Sequence, residues 1–210
     1  MASRLSDLVR DGALNEVLAC LNRAADGAGE ATIAGRADLL FRALDRLSSL
    51  TDALSQEVRR TLLNSAEFSK LGRFRQSAKP EDVTAEQLAR WHTLVHVILE
   101  RPDQKLAAYG TLVPGGRNHR RVAHLGGTWQ RCFVRGGRWT AADGDPRFRW
   151  SPDDPEVDAM LLVSEDLPSA WPELDRFERS EYRRHLVPVR GEDAHHVAYL
   201  YESADQAISK

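Results

Sequence analysis

The chain has 210 residues, 42% of them hydrophobic and 29% charged, a balance that places it among ordinary globular proteins with length for one generous domain or two small ones. With 29 Lys and Arg against 31 Asp and Glu the formal net charge is −2, so no global field recruits nucleic acid or an anionic membrane surface. Cys20 and Cys132 are the only cysteines, which excludes a Cys-rich zinc site and a disulfide framework and fits a reducing compartment.

In chain order, the opening run MASRLSDLVRDGALNE carries charges every few residues and no continuous apolar stretch. It reads as neither a secretory signal nor a membrane span, and a cytoplasmic location is the expectation. Leu39, Leu40, Ala43, Leu44 and Leu47 form one stripe at helical spacing, and Leu54, Val58 and Leu62 continue the period. Thr84 followed by Gln87 reads as a capping box, after which Leu88, Trp91, Leu94, Val95 and Ile98 line one face of a helix that Pro102 helps to stop. Residues 1–101 are therefore expected to be all-helical, with RPDQ at 101–104 as a joint.

Beyond the joint the period shortens. KLAAY, TWQRCFV, VDAMLLV, YRRHLVPV and HHVAYLY are strand-like runs punctuated by Gly and Pro, with one helical interruption between 168 and 179. The carboxy-terminal half is thus expected to be a mixed α+β unit over about 105–203, followed by a tail at 204–210. DGDPRFRWSPDDPE, from 143 to 156, reads as a long polar loop between strands.

Common catalytic signatures are missing. There is no G-x-x-x-x-G-K-[ST], no G-x-S-x-G and no H-E-x-x-H. His195 and His196 are neighbours on a strand and point to opposite sides, so they cannot chelate one ion together. His119 and His124 fall near the start of whatever helix follows the glycine-rich loop, where packing or solvent contact is their role. No metal site and no cofactor is expected.

Two stretches carry chemical interest. KLAAYGTLVPGGRNH, Lys105 to His119, ends a short apolar run at Tyr109 and passes into a loop with Gly110, Pro114, Gly115 and Gly116. Gly110, without a Cβ, allows close approach of another group or a positive φ, and either suits a ligand cradle as well as a plain turn. In LPSAWPELDRFERSEYRRHLVPV, Leu167 to Val189, Trp171, Leu174 and Phe177 make an apolar helical face with Asp175 and Glu178 offset from it. Glu178 closes that helix at a junction with a strand, where a carboxylate can project into a cavity; spacing alone does not separate this from a solvated side chain.

Together, YGTLVPGGRNH and, about sixty residues later, LDRFERSEYRR, followed by a strand ending VAYLY, resemble the gamma-glutamylcyclotransferase-like (AIG2-like) family, which includes plant avirulence-induced proteins and gamma-glutamylamine cyclotransferases. The resemblance spans roughly 105–203. It implies a small mixed β-barrel flanked by helices, a pocket lined by Tyr109, Gly110, Thr111 and Leu112, the Glu of LDxxE, Glu178, as catalytic acid/base, and Tyr201 near the pocket. Glu173 and Glu181 fall outside the LDxxE spacing. The chemistry implied is cyclisation of a gamma-glutamyl small molecule: its own α-amine attacks the γ-carbonyl, 5-oxoproline forms and an amine departs, with no metal or cofactor. Loop amides would hold the substrate carboxylate or the oxyanion.

The sequence departs from the family pattern at Arg179, where Gly commonly follows the catalytic Glu; a left-handed backbone there would cost about 1–2 kcal/mol. Arg179, Arg183 or Arg184 could instead offer charge to a substrate carboxylate. A second reading is a binding or scaffolding module on the same fold without turnover. The helical residues 1–101 lie outside the resemblance and leave dimerisation, pocket covering and contact with another protein open as roles. The sequence does not name the leaving amine.

Overall fold

A computed structural model of the chain describes residues 4–26, 32–50, 79–141, 144, 146–178 and 181–204. Leu54, Val58 and Leu62, expected to extend the helical period, and Arg179 lie outside the described residues. The chain divides into two compact units, Met1–Arg101 and Pro102–Lys210.

The first unit contains α1 (Arg4–Arg10), α2 (Asn15–Asp26), α3 (Ile33–Ser49) and α4 (Ala85–Ile98). α2 packs along α3, because each carries an apolar stripe: Val17, Leu18 and Leu21 on one, Leu40, Ala43, Leu44 and Leu47 on the other are buried. The Thr84 hydroxyl accepts from the Gln87 amide at 3.2 Å and the Gln87 side chain accepts from the Thr84 amide at 2.9 Å, so α4 starts on the predicted capping box. Leu88, Trp91, Val95 and Ile98 form its buried face, and Trp91 meets the ring of Phe41 on α3 with centroids 5.6 Å apart. α4 stops before Glu100 and Arg101, both at φ 57°; Pro102 disfavours a right-handed helical conformation in the residue before it.

The second unit holds β1 (Lys105–Ala108), β2 (Thr128–Thr140), β3 (Pro146–Trp150), β4 (Glu156–Val163), α5 (Leu167–Glu178), β5 (Tyr182–Arg190) and β6 (His195–Ser203). Strand order is β3-β2-β4-β1-β6-β5, and a further pairing of β2 with β5, at Phe133 and Arg190, closes five of the strands into a barrel. All neighbours are antiparallel except β1 and β6. The fold is therefore the expected α+β class, a small mixed β-barrel preceded by helices. Its interior is filled by Ala107, Cys132, Val134, Phe148, Ala159, Leu161, Val187, Val189, Ala198 and Leu200. Small residues alternate with branched ones, which suits the narrow bore of a five-stranded barrel.

One element was not expected. Within the segment read as a loop, Pro146–Trp150 forms β3 against the second half of β2. Pro146 begins an edge strand, a position where proline is tolerated, and Phe148 supplies a fully buried side chain. The flanking Asp and Pro residues disguise a strand of only five residues. β2 exchanges its partner β4 for β3 at Gly136; a Cβ there would lie 2.2 Å from the Arg149 carbonyl oxygen, so the bend needs glycine.

Cys20 and Cys132 are buried free thiols. Burial, aided by the charge of Asp158, pushes the Cys132 thiol up to about 12. Among the described residues no helix is long and apolar enough to cross a membrane.

Candidate active site

β1 ends at Ala108, and Tyr109 turns its ring onto Phe148 of the barrel core, centroids 5.0 Å apart, while its hydroxyl donates to the Tyr201 carbonyl of β6 at 2.9 Å. Of the two properties foreseen for Gly110, the structure uses close approach: a Cβ would stand 2.9 Å from Pro146 Cγ, and Gly110 is not among the positive-φ glycines. The loop then closes on itself. Asn118 donates from Nδ2 to the Thr111 hydroxyl at 2.9 Å and from its amide to the Thr111 carbonyl at 3.0 Å. His119 Nδ1 lies 3.0 Å from the Leu112 carbonyl oxygen. Among the described residues, the amides of Gly110, Thr111 and Leu112 donate to no other group. Sequence reasoning gave Asn118 and His119 no task at the site, although both stand in the NH that closes the loop motif.

α5 is held by its apolar face, with Trp171 and Leu174 buried, and by the Trp171 indole, which donates to the Asp103 carbonyl at 2.8 Å. Glu178 is its last residue. One turn earlier Asp175 accepts from the Tyr201 hydroxyl at 2.6 Å and from Arg184 through Nε at 2.8 Å and Nη2 at 3.1 Å. The Arg184 guanidinium also lies 4.5 Å from the ring centroids of both Trp171 and Tyr199. Arg184, entertained from sequence as a partner for a substrate carboxylate, is thus engaged by a carboxylate of the protein. Arg183 is exposed.

These parts meet around one cavity of about 390 Å³, lined by Leu106–Ala108 at the end of β1, the loop Tyr109–Leu112, Arg117 and Asn118, Pro146, Phe177 and Glu178 of α5, Glu181 and Tyr182, and Tyr201. The residues that the family resemblance puts at the pocket, Tyr109, Gly110, Thr111, Leu112, Glu178 and Tyr201, are on its wall, whereas Arg183 and Arg184 are not. So is Glu181, which the LDxxE spacing had set aside; it accepts from Nη2 of Arg147, a side chain only 6% exposed, at 3.2 Å. Glu173 lies elsewhere, on a separate cavity of about 250 Å³ with Arg121 and Asp166.

The electrostatics tie Glu178 to both tyrosines. Burial raises the Tyr109 hydroxyl above the ordinary phenol range, with Tyr182, Glu178 and Glu202 adding to the rise and Arg147 opposing it. Burial also raises Tyr201, followed by its hydrogen bond to Asp175 and the charges of Asp175 and Glu178, against Arg184. Both phenols therefore stay protonated and act as hydrogen-bond donors at neutral pH. No group of three or more His, Cys, Asp or Glu among the described residues is arranged to hold a metal ion.

No curated protein matches the chain. Solved structures do align with it: an AIG2-like protein from Mus musculus (20% identity, 50% of this chain and 80% of that one covered, TM-score 0.42), YkqA from Bacillus subtilis (22%, 50% and 37%, 0.41) and an uncharacterized protein from Pyrococcus horikoshii (18%, 50% and 82%, 0.37). The profile of the family described as gamma-glutamyl cyclotransferase, AIG2-like, matches residues 106–210, half of the chain and the part that builds the barrel and its cavity. The chain belongs to the gamma-glutamyl cyclotransferase, AIG2-like family.

Proposed function

We propose that the protein releases an amine from a gamma-glutamyl small molecule with formation of 5-oxoproline, Glu178 serving as general acid/base. The substrate's α-nitrogen bonds to its own γ-carbonyl carbon, and the bond from that carbon to the departing nitrogen breaks. Two protons leave the α-ammonium, and both end on the departing amine, which exits as an ammonium. A single carboxylate that accepts and returns a proton suffices for these transfers and is regenerated at the end. The amides of Gly110, Thr111 and Leu112 supply donors for the substrate carboxylate or for the oxyanion formed during attack. Contacts from the cavity wall hold the flexible substrate folded back on itself, which supplies the proximity the cyclisation needs.

The observation that carries this reading is that Glu178 and the Tyr109–Leu112 loop, 66 residues apart at their closest in sequence, line the same cavity. The test is a panel of gamma-glutamyl amines and peptides assayed for 5-oxoproline with wild type and Glu178→Gln. Turnover of at least one compound, lost in the variant, supports the proposal. Binding of panel members without turnover by wild type moves the binding-module reading ahead.

A further inference from the structure

Tyr201 holds both halves of the site at once. Its carbonyl accepts from the Tyr109 hydroxyl at 2.9 Å, fixing the first residue of the loop, and its own hydroxyl donates to Asp175 at 2.6 Å, fixing the helix that ends in Glu178. The register of the β5–β6 ladder sets Arg184 directly across from Tyr201, so both side chains leave the sheet on one face and converge on Asp175. Arg184 approaches as a two-pronged donor with its guanidinium over the rings of both Trp171 and Tyr199. A doubly hydrogen-bonded pair of this kind restricts both side chains more than a single-contact ion pair does, although the Asp175 side chain is 43% exposed.

We infer that Tyr201, acting through Asp175 and Arg184, is a positioning residue that sets the placement of the Glu178 carboxylate relative to the Tyr109–Leu112 loop. This rests on the reaction proposed above. Glu178 is the terminal residue of α5, where helical hydrogen bonding is weakest and the last turn frays unless side chains secure it. Asp175 is three residues back, so it anchors that last turn. Its partners belong to the barrel strands β5 and β6, one of which also carries the carbonyl that anchors the loop. A misplacement of about 1 Å between acid/base and substrate can cost about a hundredfold in rate, which gives such a brace a catalytic consequence although none of its three members moves a proton.

The test is a double-mutant cycle of Tyr201→Phe and Asp175→Ala in the full chain, read by kcat and KM separately, together with the carbon-13 signal of the Glu178 carboxylate, assigned by its loss in Glu178→Gln. Tyr201→Phe keeps the ring and the backbone carbonyl and loses only the bond to Asp175. The expected result is a fall in kcat of about tenfold or more with KM changed less than about twofold. Tyr201→Phe should add no further loss in the Asp175→Ala background, and the Glu178 signal should shift or broaden in each variant. Should circular dichroism show Asp175→Ala unfolded, Asp175→Asn takes its place. A raised KM at unchanged kcat, additive losses across the cycle, or an unmoved Glu178 signal overturns the inference. If wild type releases no 5-oxoproline from any compound, the proposed reaction fails by itself, and the carboxylate signal alone then decides the positioning role.

Discussion

The two regions that meet at the cavity are held in place by different means. The loop after β1 is fixed mostly from within: Asn118 and His119 bond back to Thr111 and Leu112 across seven residues, and Pro146 sits against Gly110. The end of α5 is fixed from outside: Asp175 is gripped by Tyr201, 26 residues away, and by Arg184 across the helix-to-strand junction. A locally closed loop keeps its shape without help from distant elements, whereas a helix end secured by side chains can be moved by substitutions elsewhere in the chain. On the proposed reaction, binding would fall chiefly to the loop and proton transfer chiefly to the helix end, and this division can be tested from either side.

The largest effect is expected at the helix end itself. Glu178→Gln keeps the size of the side chain but cannot accept and return a proton, so kcat should fall by about 10²–10⁴-fold while the fold and ligand binding persist. Glu173→Gln, on the separate smaller cavity, is the matched control and should leave kcat within about twofold. Glu181 is not a neutral control, because it lines the main cavity and pairs with Arg147. A Glu178→Gln variant with the wild-type rate would remove the carboxylate from the mechanism.

On the loop side, Gly110→Val forces new atoms into the space occupied by Pro146, whose Cγ is already only 2.9 Å from an added Cβ. Either the loop or β3 must shift, at about 1–3 kcal/mol of stability, and kcat/KM should drop by about tenfold through a raised KM. Calorimetry and steady-state kinetics read the two effects separately. Loss confined to kcat would contradict the division of labour between loop and helix end. Asn118→Ala is milder: it deletes one side-chain hydrogen bond to Thr111 while the amide of residue 118 still reaches the Thr111 carbonyl. The expected cost is about 1 kcal/mol, a few-fold in KM. An unchanged KM would mean that Asn118 does not shape the receptor.

The same contrast explains what could be read from the sequence. The loop was legible because the strand end and Gly110 are contiguous within 105–119, whereas its closure by Asn118 and His119, though part of the same motif, has no periodic or compositional signal. Glu178 stood out only through the LDxxE motif of the family resemblance, because its offset from the Trp171, Leu174 and Phe177 face is equally that of a solvated side chain. The brace was not. Arg184 looked like one of several arginines in a charged strand, and only the register that sets it opposite Tyr201 gives it Asp175 as partner. β3 escaped for a related reason, since its five residues make no periodic signal and owe their order to Phe148 in the core and to the Trp150 amide bonded at 2.8 Å to the buried Glu202 carboxylate. The helices of the first unit were legible where stripe and cap coincide, as at Thr84, while their task is not written in either.

The smallest effect is expected away from both regions, at His196. From sequence it was one of two strand neighbours with no ligand to share. Burial, with the positive charges of Lys105 and His195 nearby, lowers its pKa from 6.5 to about 4. The neutral ring is therefore favoured in the folded chain. Above about pH 6.5 neither state is protonated and His196 contributes no pH dependence. Between that value and about 4 the unfolded chain takes up a proton that the folded chain refuses, so stability falls as pH falls, and it levels off once both states are protonated. Thermal midpoints measured from pH 7.5 to pH 5 should drop by of the order of a few degrees in wild type, and less in His196→Gln, which has nothing to titrate. His195→Gln, removing the milder neighbour, should keep most of the wild-type slope. Because His196 is not on the wall of the cavity, the pH dependence of kcat should be the same in wild type and His196→Gln wherever both remain folded. Equal stability slopes in the two proteins would show that the ring is not held neutral by its surroundings. A changed kcat profile would show instead that the division between loop and helix end omits a third region coupled to the site.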